Sequence, residues 1–169
     1  MKMSRVWAMP SKWTFQVHPI RQFVKSYMAD GKNWIDPFAG EESWAEYRND
    51  LNPQNENASS HIEANEFVAL FAEAAIDGVI FDPPYSITQV SRSYKDIGLH
   101  FKSKENPTGG FPRVKDNIAK VLGLGGVCLS FGWNSVGMGK KRGFEIIEIL
   151  LVCHGGNRND TICVAEVKR

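Results

Sequence analysis

The chain has no run of 18 or more apolar residues, so it offers no candidate membrane helix. Its first residues, MKMSRVWAMPSKW, contain no continuous apolar stretch and do not read as a secretory leader. It has few cysteines: Cys128, Cys153 and Cys163 all lie within apolar runs. No CxxC pair is present, and the four histidines show no metal-ligand spacing. Three small core residues in a reducing compartment fit this pattern, and the expected location is the cytoplasm. A zinc site built on Cys153, His154 and Cys163 is the alternative, although neighbouring strand residues point to opposite faces. No metal is expected. No internal repeat or second domain is evident, and the expectation is one domain over 1–169.

Net charge is also nearly absent, at +1, but its distribution is uneven. Residues 1–89 carry 7 Lys/Arg against 12 Asp/Glu, and residues 90–169 carry 13 against 7. The halves therefore differ in sign, −5 against +6, which suggests that a polyanion meets the second half.

The pattern along the chain alternates strands and helices. Ile20, Phe23, Val24, Tyr27 and Met28 recur at helical spacing, predicting a helix over 18–31 that is closed by Gly31. NWID (33–36), AEYRND (45–50) and HIEA (61–64) read as short strands, with a polar loop over 52–60. A helix over 64–78 and a buried strand, GVIFD, follow. Residues 86–112 lack periodicity and read as a long loop with one helical turn at most, the kind of loop that is usually functional. FPRVKDNIAKVLG (111–123) predicts a helix, GGVCLSFG (125–132) a strand, and 144–154 and 161–169 a hairpin around GGNRND. These elements predict an α/β sheet, mostly parallel, with an antiparallel edge.

Ligands of such sheets bind beyond the carboxyl ends of the strands. Asp36, Asp50, Glu63 and Asp82 all fall at those ends. The last opens DPPY, a strand end spent on an acid, two prolines and a ring. Pro83 and Pro84 have no N–H and hold φ near −65°. Such a corner offers acceptors without donors, and it suits a group that only donates, such as the exocyclic amine of a base. Asp82 can accept one N–H and the Pro83 carbonyl the other, while Tyr85 stacks on the ring.

DPPY resembles the catalytic motif of the amino-methyltransferases that use S-adenosylmethionine (SAM), in the form most typical of N6-adenine DNA methyltransferases. DPFAG (36–40) is similar to their cofactor motif, NDLNP (49–53) to their second acidic motif and HIEANEF (61–67) to their third. Residues 130–169 resemble the end of small phage and prophage adenine methyltransferases. The resemblance runs in family order from about Phe15 to Arg169 and implies a class I SAM-methyltransferase fold of Rossmann-like type.

On that resemblance, Phe15, Gln16, Asp36, Pro37, Phe38, Ala39 and Gly40 hold the methionine end of SAM. Asp50 accepts the ribose hydroxyls, Leu51 packs on adenine, and Glu63, with Ala64 beside it, accepts the adenine amine. Asp82, Pro83, Pro84 and Tyr85 hold the target base, and the methyl group passes directly, without metal or covalent intermediate. The implied substrate is DNA, modified at adenine N6 after base flipping, in a role such as protecting mobile-element DNA from host restriction. Cytosine N4 in DNA, adenine in RNA and a catalytically silent binding module are the other readings.

The chain departs from the family pattern in two ways. Glu41 and Glu42 follow Gly40 where glycine is usual, and the stretches after Asp36 and Asp50 are too short for full crossover helices. Helices are therefore expected to be reduced on one sheet face. That face would carry apolar surface for a partner, with a homodimer as the expected solution. No separate target-recognition domain is expected, so Arg92 and Lys95 in the 86–112 loop and Lys140, Lys141 and Arg142 remain to contact nucleic acid.

Overall fold

A computed structural model describes residues 1–100 and 111–169. Seven strands form one sheet: β1 (Lys2–Trp7), β2 (Trp34–Asp36), β3 (Tyr47–Arg48), β4 (Ile76–Phe81), β5 (Leu122–Gly132), β6 (Phe144–Cys153) and β7 (Thr161–Lys168). Their spatial order is β1-β6-β7-β5-β4-β2-β3. Only β7 runs antiparallel to its neighbours, β5 and β6. Four α-helices, α1 (His18–Tyr27), α2 (Ala64–Val68), α3 (Ile87–Asp96) and α4 (Pro112–Val121), and two single 3-10 turns, Thr14–Gln16 and Lys140–Arg142, complete the described residues.

β4 forms because Ile76, Val79, Ile80 and Phe81 are apolar on both faces, as a central parallel strand requires. Its Gly78 is there for space: a Cβ would meet the Trp34 ring at 2.0 Å. Alternation then builds two cores. On one face Ile20, Phe23 and Val24 of α1 pack on Leu129, Phe131, Leu150 and Val152. On the other, Val114, Ile118 and Val121 of α4, with Phe67 and Val68 of α2, pack on Val79, Phe81 and Cys128. Each fully buried Ile or Val contributes about 1.5–3 kcal/mol.

Several expectations are corrected. The antiparallel strand is not at the edge: β7 lies inside the sheet, and β1, unforeseen in the sequence, takes the edge beside β6. The third short strand reduces to a single bridge between Asn49 and Ser60. The Asn49 side chain does the strand's work, donating to the Pro37 and Ile62 carbonyls at 3.1 and 3.0 Å and accepting the Ile62 N–H at 3.1 Å. The helix expected over 64–78 stops at Val68, and Leu70 beyond it is exposed. The loop expected over 86–112 holds α3, a helix of ten residues; residues 101–110 of it lie outside the described residues. As expected, no helix occupies either the β2–β3 connection or residues 50–60.

Candidate active site

The carboxyl ends of β2, β3 and β4 open into a cleft of about 880 Å³. Pro37 to Gly40, Asp50, Leu51, Glu63, Ala64, Asp82, Pro83, Pro84, Tyr85 and Arg92 all line it, as does Phe15. Residues predicted from four separate stretches thus meet in one place. Two cofactor candidates do not line it. Asp36 is wholly buried beneath the loop it supports. Gln16 is exposed, tied to Ser11 at 2.7 Å and Glu42 at 3.0 Å.

Asp36 explains the shape of the first loop. Its carboxylate accepts the Ser43 hydroxyl at 2.7 Å and the Phe38 N–H at 3.0 Å, so the chain bends over it towards Gly40. Gly40 adopts φ +54°, a region that costs glycine nothing. Burial pushes the Asp36 carboxyl up to about 7, offset in part by the Ser43 and Phe38 hydrogen bonds.

Asp50 follows Asn49 at the edge of the sheet. One oxygen accepts the Asn52 N–H at 2.8 Å and the other the Asn55 amide at 2.6 Å. Asn55 also donates to the Gly40 carbonyl, which joins the loops after β2 and β3. A carboxylate has about four acceptor positions, so both oxygens can still take a ligand hydroxyl. Glu63 stands at the start of α2 and accepts the Tyr94 hydroxyl at 2.6 Å. Tyr94 belongs to α3, which forms one wall of the cleft through Gln89, Val90, Arg92, Ser93 and Tyr94.

The donor set fits the adenosine and methionine parts of SAM. It has acid acceptors in Asp50, after β3, and Glu63, at the start of α2, apolar surface from Phe38, Leu51 and Ile62, and a tight loop ending at Gly40.

At the end of β4, Asp82 is half-buried and Tyr85 folds back on it. The Tyr85 hydroxyl donates to Asp82 Oδ1 at 2.7 Å and lies 3.3 Å from the Thr14 hydroxyl. Burial raises the Asp82 carboxyl to about 6, against the lowering effect of the Tyr85 and Thr14 hydroxyls. Burial, with the Asp82 charge, also holds the Tyr85 hydroxyl well above its ordinary range, so it is a donor at neutral pH. The Tyr85 ring meets Trp133 edge-on, with centroids 5.6 Å apart at 71°.

The charged segments divide. Arg92 lines the cleft, and Lys95 lies beside it along the outer groove of α3. Lys140, Lys141 and Arg142 immediately precede β6, which starts at the amino end of the parallel strands, away from the cleft. Arg142 is already engaged, with Asp116 at 2.7 Å and the Met138 carbonyl at 3.0 Å.

Asn49, Asn55, Thr14 and Tyr94 were missed as site residues. A sequence signal existed for the helix carrying Tyr94. Ser86-Ile87-Thr88-Gln89 has capping-box spacing: Ser86 accepts the Gln89 N–H at 3.2 Å, and Gln89 accepts the Tyr85 N–H at 2.6 Å.

The chain matches no described protein family and no curated protein. Solved structures do resemble it. A Streptococcus mutans protein described as a SAM-dependent methyltransferase has a TM-score of 0.53 or better, at 0.59, with 10% identity over 92% of this chain and 49% of its own. An Escherichia coli protein described as a methyltransferase gives 0.53 at 10% identity, covering 96% of this chain and 90% of its own. TrmN from Thermus thermophilus gives 0.53 at 15% identity, over 89% and 49%. The chain thus spans about half the length of the first and third. At these identities the likeness is one of fold, and the fold is that of the class I SAM-dependent methyltransferases.

Proposed function

We propose that the chain is an enzyme that transfers a methyl group from SAM to the exocyclic amine of a nucleobase, the N6 of adenine in DNA. The observation that carries this reading is the convergence of DPPY with the loops after β2 and β3 in one cleft. SAM, when bound, supplies an electrophilic methyl group on a positively charged sulfur.

This chain's residues do the rest. Gly40, Asp50, Leu51 and Glu63 hold the cofactor, and Asp36 acts on it only through the loop it folds. Asp82 and the Pro83 carbonyl accept hydrogen bonds from the two amine N–H groups, and Asp82 is placed to take the one proton that the amine sheds on methylation. An aryl amine is a weak nucleophile because its lone pair is delocalised into the ring. Two fixed acceptors localise that pair and stabilise the cation that develops in the transition state. Because the prolines bring no N–H, nothing at the corner competes for the lone pair. The Tyr85 hydroxyl fills one acceptor position of Asp82 and leaves the others for the amine.

Tritium transfer from labelled SAM to DNA, with Asp82→Ala as control, tests the reading, and nucleoside analysis of the product identifies the base. Equal transfer by parent and variant would overturn it. Label found on cytosine, or on RNA alone, would keep the chemistry and change the substrate.

A further inference from the structure

Trp133 is the first residue after β5 and remains 42% exposed. Its contact with Tyr85 is edge-to-face, at 71°, so that contact covers at most one of the two indole faces. Tyr85 in turn touches Asp82. An exposed indole therefore stands one ring away from the catalytic corner, yet it is not part of the wall of the cleft that would hold the cofactor.

The cleft as a whole is lined by more carboxylates, Glu41, Glu42, Glu66 and Asp96 among them, than cations, so phosphate contacts fall to individual side chains. Lys12, Arg92 and Arg113 are exposed, line the cleft and come from three separate segments. Among the described residues no carboxylate pairs with any of them, and Lys12 lies 4.5 Å from the Trp13 ring centroid.

We infer that the substrate is an unpaired polynucleotide strand, with Trp133 as the platform for a base next to the target and these three cations as its phosphate contacts. This rests on Asp82 as the amine acceptor. The neighbours of a base flipped from a duplex stay stacked inside the helix, where an exposed indole gains nothing from them. In a single strand the neighbouring base has a free face, and stacking on an aromatic ring suits any base. The cations line the same cleft as Asp82. A duplex, whose major groove alone is about 12 Å wide, stays outside it, whereas a single backbone can follow them in.

The test is fluorescence anisotropy with labelled oligothymidylate, alone and annealed to its complement, without SAM. Thymine has no exocyclic amine, so binding is read independently of methyl transfer. The single strand is expected to bind at least tenfold more tightly than the duplex. Trp133→Ala should weaken strand binding roughly fivefold or more, and Trp133→Phe should keep most of it. Alanine at Lys12, Arg92 or Arg113 should each reduce the salt slope by about 0.7.

Duplex binding as tight as strand binding would overturn the inference. So would Trp133→Ala binding like the parent, or a loss on Trp133→Ala accompanied by a melting temperature that Trp133→Phe does not restore. Oligouridylate in place of oligothymidylate distinguishes RNA from DNA as the source of the strand. Strand preference without any methyl transfer would sink the enzymatic reading and leave the platform. Transfer with an indifferent Trp133 would sink the platform alone.

Discussion

The Tyr85 hydroxyl donates to Asp82 at 2.7 Å, so the corner proposed to grip an amine is bonded to its own aromatic residue. This relationship sets a pH dependence. Asp82 stabilises the developing cation and can take its proton only when ionised, and burial has raised its carboxyl to about 6. Methyl transfer should therefore fall as pH drops through about 6. Hydrogen bonds to the charged form lower a carboxyl pKa, so losing one raises it. Tyr85→Phe keeps the ring but removes that bond, and its acid limb should move to higher pH. Single-turnover transfer between pH 5 and 8 reads both limbs. Coincident profiles would show that the hydroxyl does not tune Asp82.

Asp36 should show the opposite economy, one of stability. Its carboxyl is raised to about 7 by burial, above the ordinary value of 3.8. A group raised on folding contributes stability that is fully present below the unfolded value and lost as pH rises towards the folded one. Asp36→Asn keeps an acceptor for the Phe38 N–H and never ionises. Its melting temperature should exceed the parent's at pH 8, and the margin should shrink by pH 5. A variant less stable than the parent at pH 8 would mean that the Ser43 hydrogen bond to the carboxylate outweighs its burial.

Tyr94 should matter to the cofactor without touching the chemistry. Its hydroxyl fixes Glu63, the proposed acceptor of the adenine amine, from across the cleft. The pair is exposed, so the effect is modest. Tyr94→Phe should weaken SAM binding about two- to fivefold by calorimetry, and Glu63→Ala should weaken it more. A Tyr94→Phe affinity equal to the parent's would leave the bond as a surface contact only.

Much of this was legible in the sequence because it is written in local chemistry. The strand into DPPY is apolar on both faces, and α1 and α4 carry clear stripes with Ile20, Phe23, Val24, Val114, Ile118 and Val121 buried. The acids announce themselves by standing at strand ends. What escaped depends on distant partners. β1 is polar at Lys2, Ser4 and Arg5 and becomes a strand only because β6 offers it an edge. α3 buries only Val90, so it has no stripe to read, and its evidence is the Ser86 cap. The strand expected at His61 fails because one asparagine, Asn49, satisfies the backbone groups of Ile62. Trp133 gives no signal in the sequence, since its nearness to Tyr85 depends on β4 and β5 being neighbours.

The uncovered part of the sheet bears on the proposed homodimer. α1 covers one face across β5, β6 and β7, while the core under α4 and α2 on the other takes in β2, β4, β5 and the start of β6 but no residue of β1 or β7. In register, Met3 stands beside Ile149 and Arg5 beside Leu151, so Met3 and Trp7 share the less covered face. Met3 is 69% exposed and Trp7 65%, and β1 is an open edge. Two β1 strands meeting antiparallel about a two-fold axis through Ser4 would place Arg5 opposite Met3 and Lys2 opposite Val6, so no like charges would oppose. We therefore predict a dimer by light scattering at micromolar concentration. Met3→Pro, which removes an N–H facing the open edge, and Met3→Lys should each yield monomer with the cleft intact, as judged by unchanged SAM binding. A parent that scatters as a monomer at that concentration would eliminate the second copy as the cover for this face.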